Sequence, residues 1–188
     1  MNIRPFMNAK PLGAKAKGIR YISRGEILTH PRVGEAQGAK NPMAMPLHGF
    51  GEKGTLIPDD LFGFEYPDEG YRFFAVEIDR NTESIDRTNF TYNTIGKKVA
   101  GYVRAIDERT FKRWWGIPNL SVLMVTTNAT HAGNMIEHIK NQGVRLDRFA
   151  ITVETSFASN WRVPKALLSH LLDEPWRTPT GHKDITKA

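Results

Sequence analysis

Asp59, Glu77 and Asp79 stand among apolar residues in the middle of a 188-residue chain, and two adjacent lysines, Lys97 and Lys98, follow them. Carboxylates crowded beside Phe74, Val76 and Ile78 repel one another unless a cation or a basic side chain joins them. Mg²⁺ takes a few carboxylate oxygens and keeps several of its waters, so two acids converging from neighbouring strands are the least a protein must supply. An ion so held neutralises charge developing on phosphorus and makes water nucleophilic near neutral pH. The chemistry these residue types would serve is hydrolysis of a phosphodiester bond, with Mg²⁺ (or Mn²⁺) as cofactor.

The elements that must position these residues are legible around them. Thr55 to Phe64 and Tyr71 to Asp79 are rich in aromatic and branched residues, and Pro67-Asp68-Glu69-Gly70 between them is turn chemistry. They predict a β-hairpin, with Asp59 on its first strand and Glu77 near the end of its second. Asp79 shares the face of Glu77 because strand side chains alternate with period two. After candidate caps at Thr88 and Thr91, Ile95, Val99, Tyr102, Val103 and Ile106 recur at helical spacing up to the Trp114-Trp115-Gly116 break. On that helix Lys98 borders the apolar face between Ile95 and Tyr102 while Lys97 points further outward, so Lys98 is the cation expected beside the acids.

Further along, Leu120 to Thr126 is a nearly continuous apolar run, as expected of a strand at the sheet centre covered on both faces. A helix is predicted over 132–141, stopped by Gly143, then a strand from Arg148 to Val153, a short helix over 164–173 and a polar, frayed end from Pro175. Before the hairpin, residues 1–18 show no period, 18–23 read as a short strand, and 26–54 read as connection with a short helix from Val33 to Ala39. The fold class is α/β, a central mixed sheet flanked by helices with a basic N-terminal arm. It divides into 1–25 as arm, 26–54 as connecting segment, 55–155 as core and 156–188 as C-terminal helix and tail.

The formal charge of +6 is matched by Arg4, Lys10, Lys15, Lys17, Arg20 and Arg24, which precede any acid. A basic arm of this kind suits a polyanion, DNA phosphates being the commonest, or else is a solvated terminus. The chain has no cysteine, which excludes disulfides and thiolate metal sites and gives no mark of secretion. No apolar run approaches a membrane span and residues 1–24 are too polar for a signal peptide, so a soluble cytoplasmic protein is expected.

Ile57-Pro58-Asp59, Glu77-Ile78-Asp79 after a hairpin-sized gap, and Lys98 and Tyr102 on the following helix resemble the PD-(D/E)xK nuclease superfamily. More narrowly, Leu56-Ile57-Pro58-Asp59, the run from Phe73 to Ser84 and Lys98-x-x-x-Tyr102 look like the replication-relaxation family of bacterial and mobile-element proteins. The match spans roughly residues 20 to 140. Arg20 to Gly25 and Leu28-Thr29-His30 look like the junction where that family's winged-helix DNA-binding domain ends. The resemblance implies a restriction endonuclease-like sheet, a metal held by Asp59, Glu77 and the Ile78 carbonyl, and action on DNA. Lys98 would orient the attacking water, with Tyr102 in support. The chain departs from the pattern in two places. The third motif position, normally lysine, holds Asp79. Either Lys98 replaces that lysine from the helix while Asp79 tunes or shares the metal, or Asp79 makes the site a noncatalytic one. The residues before the junction are too few for a winged helix, so DNA would be held by the arm, a second copy or a partner protein. The readings that follow are a DNA endonuclease, a noncatalytic DNA-binding accessory factor in replication, mobilisation or transcription, and a protein-docking module using 26–54.

Other patterns carry less. Gly49 to Gly54 spells GxGxxG but a strand follows it rather than a helix, so a flexible loop is expected. His131 and His138 are too far apart for a helical metal pair and read as surface residues, while His30 and His48 obey no spacing rule. Lys112-Arg113-Trp114-Trp115 mixes basic and aromatic residues as single-strand platforms do. Two tryptophans ending an amphipathic helix more often close the core, and that is the expectation here.

Overall fold

The structure, a computed structural model, describes residues 4–47, 54–67, 70–79, 95–143, 145–158 and 170–187. The chain opens with helix α1 (Arg4–Ala16), strand β1 (Arg20–Ile22) and helix α2 (Arg24–Thr29). These replace the expected arm. Lys10 is the reason: its side chain is fully buried and ion-paired to Asp60, with its Nζ 4.2 Å from the centre of the Phe62 ring. Burial pulls the Lys10 ammonium below its ordinary range while Asp60 opposes that shift. Arg24 Nη1 adds a second cation 3.9 Å from Asp60. Ser23 starts α2 through a capping box with Glu26.

The segment after α2 forms turns, where a helix over Val33 to Ala39 was expected. The amides of Glu35 and Ala36 donate instead to Arg113 and Trp114 carbonyls, at 2.9 and 3.0 Å. The two stretches approach so closely that a Cβ on Gly34 would lie 1.7 Å from the Arg113 carbonyl oxygen, and one on Gly116 1.9 Å from that of Arg32. Strands β2 (Met45–Pro46) and β3 (Thr55–Leu56) pair as a small ribbon.

The hairpin is present as β4 (Asp60–Tyr66) and β5 (Gly70–Asp79), antiparallel from Asp60 opposite Val76 to Tyr66 opposite Gly70. Its first strand is not the continuous 55–64 expected. Pro58, which has no N–H to donate, lies in the break between β3 and β4. Helix α3 (Ile95–Asp107) buries Ile95, Val99, Tyr102 and Ile106 of the predicted stripe and leaves Val103 half-buried. Helix α4 (Thr110–Trp115) stops at Gly116, whose φ is 71°. Strand β6 (Ser121–Thr126) is buried at every residue. Helix α5 (Ala129–Gln142) is capped by Asn128 and ends at Gly143. Strand β7 (Phe149–Val153), helix α6 (His170–Asp173) and strands β8 (Trp176–Thr178) and β9 (Gly181–Lys183) follow.

The expected frayed end is thus a second hairpin. Trp176 is buried and donates its indole N–H to the Leu171 carbonyl at 2.7 Å, and Ile185 is buried with its carbonyl accepting from the Tyr66 hydroxyl at 2.7 Å.

Among the described residues, seven strands form one mixed sheet in the order β1-β4-β5-β6-β7-β8-β9. The central three, β5, β6 and β7, are parallel and the rest antiparallel. One core joins Phe73, Ala75, Val122 and Met124 to α3, α4 and α5; the other joins Phe74, Val76, Ile78 and Leu123 to α1 and α6. The mixed sheet flanked by helices is as the sequence predicts, and strand alternation sends Glu77 and Asp79 toward α3 and α5. Among the described residues no helix is long and apolar enough to cross a membrane.

Candidate active site

Glu77 reaches the α3 face near the C-terminal end of β5, where it is 2 % exposed. The Tyr102 hydroxyl donates to its Oε1 at 2.6 Å, and Lys98 Nζ lies 3.0 Å from its Oε2. Lys98 and Tyr102, one helical turn apart on α3, therefore clasp the two oxygens of one carboxylate. Burial raises the Glu77 carboxyl to about 7; Lys98 and the Tyr102 hydrogen bond oppose that rise, and Asp59 adds to it. Burial likewise pushes the Tyr102 hydroxyl up, with Glu77 and Asp59 contributing.

Asp59 stands one residue before β4, not on the strand, and its side chain is exposed. Its amide donates to the Val76 carbonyl at 2.9 Å, and its Oδ2 accepts from the Ile78 N–H at 2.8 Å. These two bonds fix Asp59 against β5 at the level of Glu77. Ile78 gives its N–H to this contact and sends its side chain into the opposite core.

Asp79 takes a different partner. Its carboxylate meets Nε2 of His131, and both are buried. His131 is not the surface residue expected. Asn128 accepts its amide at 2.7 Å in the first turn of α5, and the parallel pairing that sets Asp79 opposite Thr126 brings that turn over the end of β5. A helix beginning directly after a strand that parallels β5 is the pattern that could have located it.

Comparison with protein-family models, curated proteins and solved structures gives no match.

The donors of Asp59 and Glu77 suit Mg²⁺, which is held through one or two carboxylates with water completing its shell. Asp79 is bound to His131, and among the described residues no group of three or more acidic or imidazole side chains converges as a metal cluster. Any cation here would thus rest on two carboxylates, carbonyl oxygen and water.

The residues expected to meet DNA are dispersed. Lys10 is inside the protein and gives up that role. Arg20 pairs with Glu65 and with Glu26, the latter at 2.9 Å, and Lys17 lies 3.3 Å from Asp173. Lys15 and Arg24 are exposed, and the side chain of Arg4 lies outside the described part. The indoles of Trp114 and Trp115 both donate to the Pro42 carbonyl, at 2.8 and 2.9 Å, which fits the core-closing expectation. His48, Thr88, Thr91, most of the GxGxxG stretch and residues 164–169 lie outside the described residues.

Proposed function

We propose that the protein is a Mg²⁺-dependent DNA endonuclease of restriction endonuclease-like fold, related to the replication-relaxation family and working in the cytoplasm. The observation that carries this reading is the buried Glu77 carboxylate held between Lys98 and Tyr102 with Asp59 beside it. A buried acid next to a lysine and a second acid, drawn from a strand, a helix and a preceding bend, is a costly arrangement for structure alone.

Asp59, Glu77 and the Ile78 carbonyl would hold Mg²⁺, which when bound supplies a nucleophilic water and neutralises phosphoryl charge. Tyr102 fixes the orientation of Glu77. Lys98, already within hydrogen-bond reach of that carboxylate, turns its ammonium to the attacking water or a phosphoryl oxygen, taking from the helix the part of the motif lysine. Asp79 buttresses the end of β5 through His131.

The test is incubation of supercoiled, linear and single-stranded DNA with the purified protein in Mg²⁺, Mn²⁺ or EDTA. Metal-dependent cleavage is expected, lost in Glu77→Gln and lowered at least ~100-fold in Lys98→Met, the usual scale for a donor that stabilises charge developing in the transition state. Cleavage undiminished in Asp59→Ala would falsify the mechanism. One observation favours a second reading: the motif-lysine position is an acid already satisfied by His131. DNA retained without cleavage in any metal would identify a noncatalytic binding module, working with a second copy or a partner protein.

A further inference from the structure

A cleft of about 660 Å³ opens at the other end of β5, between α2, α4 and the Arg32 and Ile117 turns, well away from Glu77. Its volume lies within the range of small-ligand sites, about 300–1,000 Å³. Tyr71 and Phe73 form its aromatic wall, stacked at 6.4 Å with their planes 20° apart, and Tyr71 is 45 % exposed. The Tyr71 hydroxyl donates to Glu65 at 3.0 Å, which tethers the end of the ring. Arg32, Lys112 and His30 also line the cleft.

The charges in the cleft are unequal. Glu26 and Arg20 both line it as an ion pair, and Arg20 also pairs with Glu65, so this cluster keeps one negative charge beside Tyr71. Arg32 and Lys112 are exposed, and no carboxylate pairs with either among the described residues. The backbone of Arg32 is fixed. Its carbonyl is packed against Gly116, its amide donates to His30 Nδ1 at 3.1 Å, and the next residues are bonded to the end of α4. A cleft with two unpaired cations and a half-exposed aromatic ring, net positive once Glu26 and Glu65 are set against Arg20, Arg32 and Lys112, favours a ligand that is both anionic and flat.

The geometry points to a nucleotide unit of single-stranded DNA as the occupant, its base against Tyr71 and its phosphate at Arg32 and Lys112. Stacking on an aromatic side chain needs an unpaired base, whose faces are free, whereas a base inside a duplex is already stacked on both sides. The assignment rests on the DNA reading above but not on its chemistry. Tyr71 and Glu77 share a sheet face six residues apart on β5, a span of about 20 Å at the rise of an extended strand. Cleft and carboxylates can thus be tested separately.

The experiment is fluorescence anisotropy of a labelled eight-nucleotide single strand in EDTA, with a duplex of equal length and free dAMP as competitors. The parent and Glu77→Gln should bind alike, Tyr71→Phe should keep most of the affinity, and Tyr71→Ala should lose about 10-fold or more. Arg32→Ala/Lys112→Ala should lower the slope of log affinity against log salt by about 0.7, one phosphate's worth for single strands. Lys140→Ala/Lys187→Ala, which removes equal charge elsewhere, should leave the slope unchanged. The proposal is overturned if the parent does not bind the strand, if the duplex competes equally, if dAMP competes as well as the strand, or if the cleft variants bind like the parent. Strand binding through the cleft with no cleavage in any metal would sink the nuclease reading alone. Cleavage by cleft variants that bind the strand as the parent does would sink the cleft alone.

Discussion

Glu77 is a carboxylate that the fold surrounds with apolar chain and then reconciles through Lys98. Removing one partner from a buried pair strands the other, so Lys98→Met should cost about 3 kcal/mol. Glu77→Gln/Lys98→Met should recover most of that loss in urea unfolding, and a double variant no more stable than Lys98→Met would contradict the pairing. The raised Glu77 carboxyl has its own signature. Its ordinary value is 4.5 and burial lifts it to about 7, so between these values the folded chain binds more proton than the unfolded one. Stability contributed by this residue therefore falls as pH rises through that window and is lowest above it. Comparing the parent with Glu77→Gln at about pH 5 and about pH 8, the parent should lose ground at the higher pH; parallel profiles would disprove it. Lys98 was legible because helical period alone ranks it above Lys97. His131 was not, because its partner Asp79 comes from a different element, and spacing along α5 compares histidines only with each other.

At the scale of elements, long amphipathic or buried runs announce themselves: the β4–β5 hairpin, α3, β6 and α5 follow from period, turn residues and Gly143. Elements that depend on distant partners do not. Helix α1 carries Pro11 and buries a lysine, so neither propensity nor pattern marks it, and only the Asp60 carboxylate explains its inward face. The three-residue strands β8 and β9 are too short to show alternation, and Trp176 reveals them only once the sheet exists to receive it. The clamp between the Arg32 turn and α4 is a contact of two glycines with carbonyl oxygens. Gly116→Ala meets both a positive φ and the Arg32 carbonyl, and should cost about 3 kcal/mol. Hydrogen exchange should then show loss of protection at the Glu35 and Ala36 amides; unchanged protection would mean that the clamp does not depend on this approach.

Over the whole molecule, the sheet is sealed on its second face by segments from both ends of the sequence. Helices α1 and α6 pack together, Lys17 reaches Asp173, and the Tyr66 hydroxyl holds the Ile185 carbonyl. The Lys10–Asp60 pair pins this layer to β4. Lys10→Met should cost about 3–5 kcal/mol by leaving Asp60 buried without its nearest cation, whereas Lys10→Met/Asp60→Leu should come close to the parent. Equal losses in the single and double variants would show that the pair's charge is not what holds the layer.

The carbonyl of Pro42 accepts from two neighbouring indoles, one of which, Trp115, also lines the cleft. Two of the chain's four tryptophans are therefore fluorophores tied to one carbonyl, with Trp115 at the cleft, while Trp176 sits across the sheet in the other core. Ultraviolet emission from this pair gives the cleft a built-in optical label. A shift in its wavelength follows release of the Pro42 carbonyl, and quenching without a shift follows arrival of an aromatic guest beside Trp115.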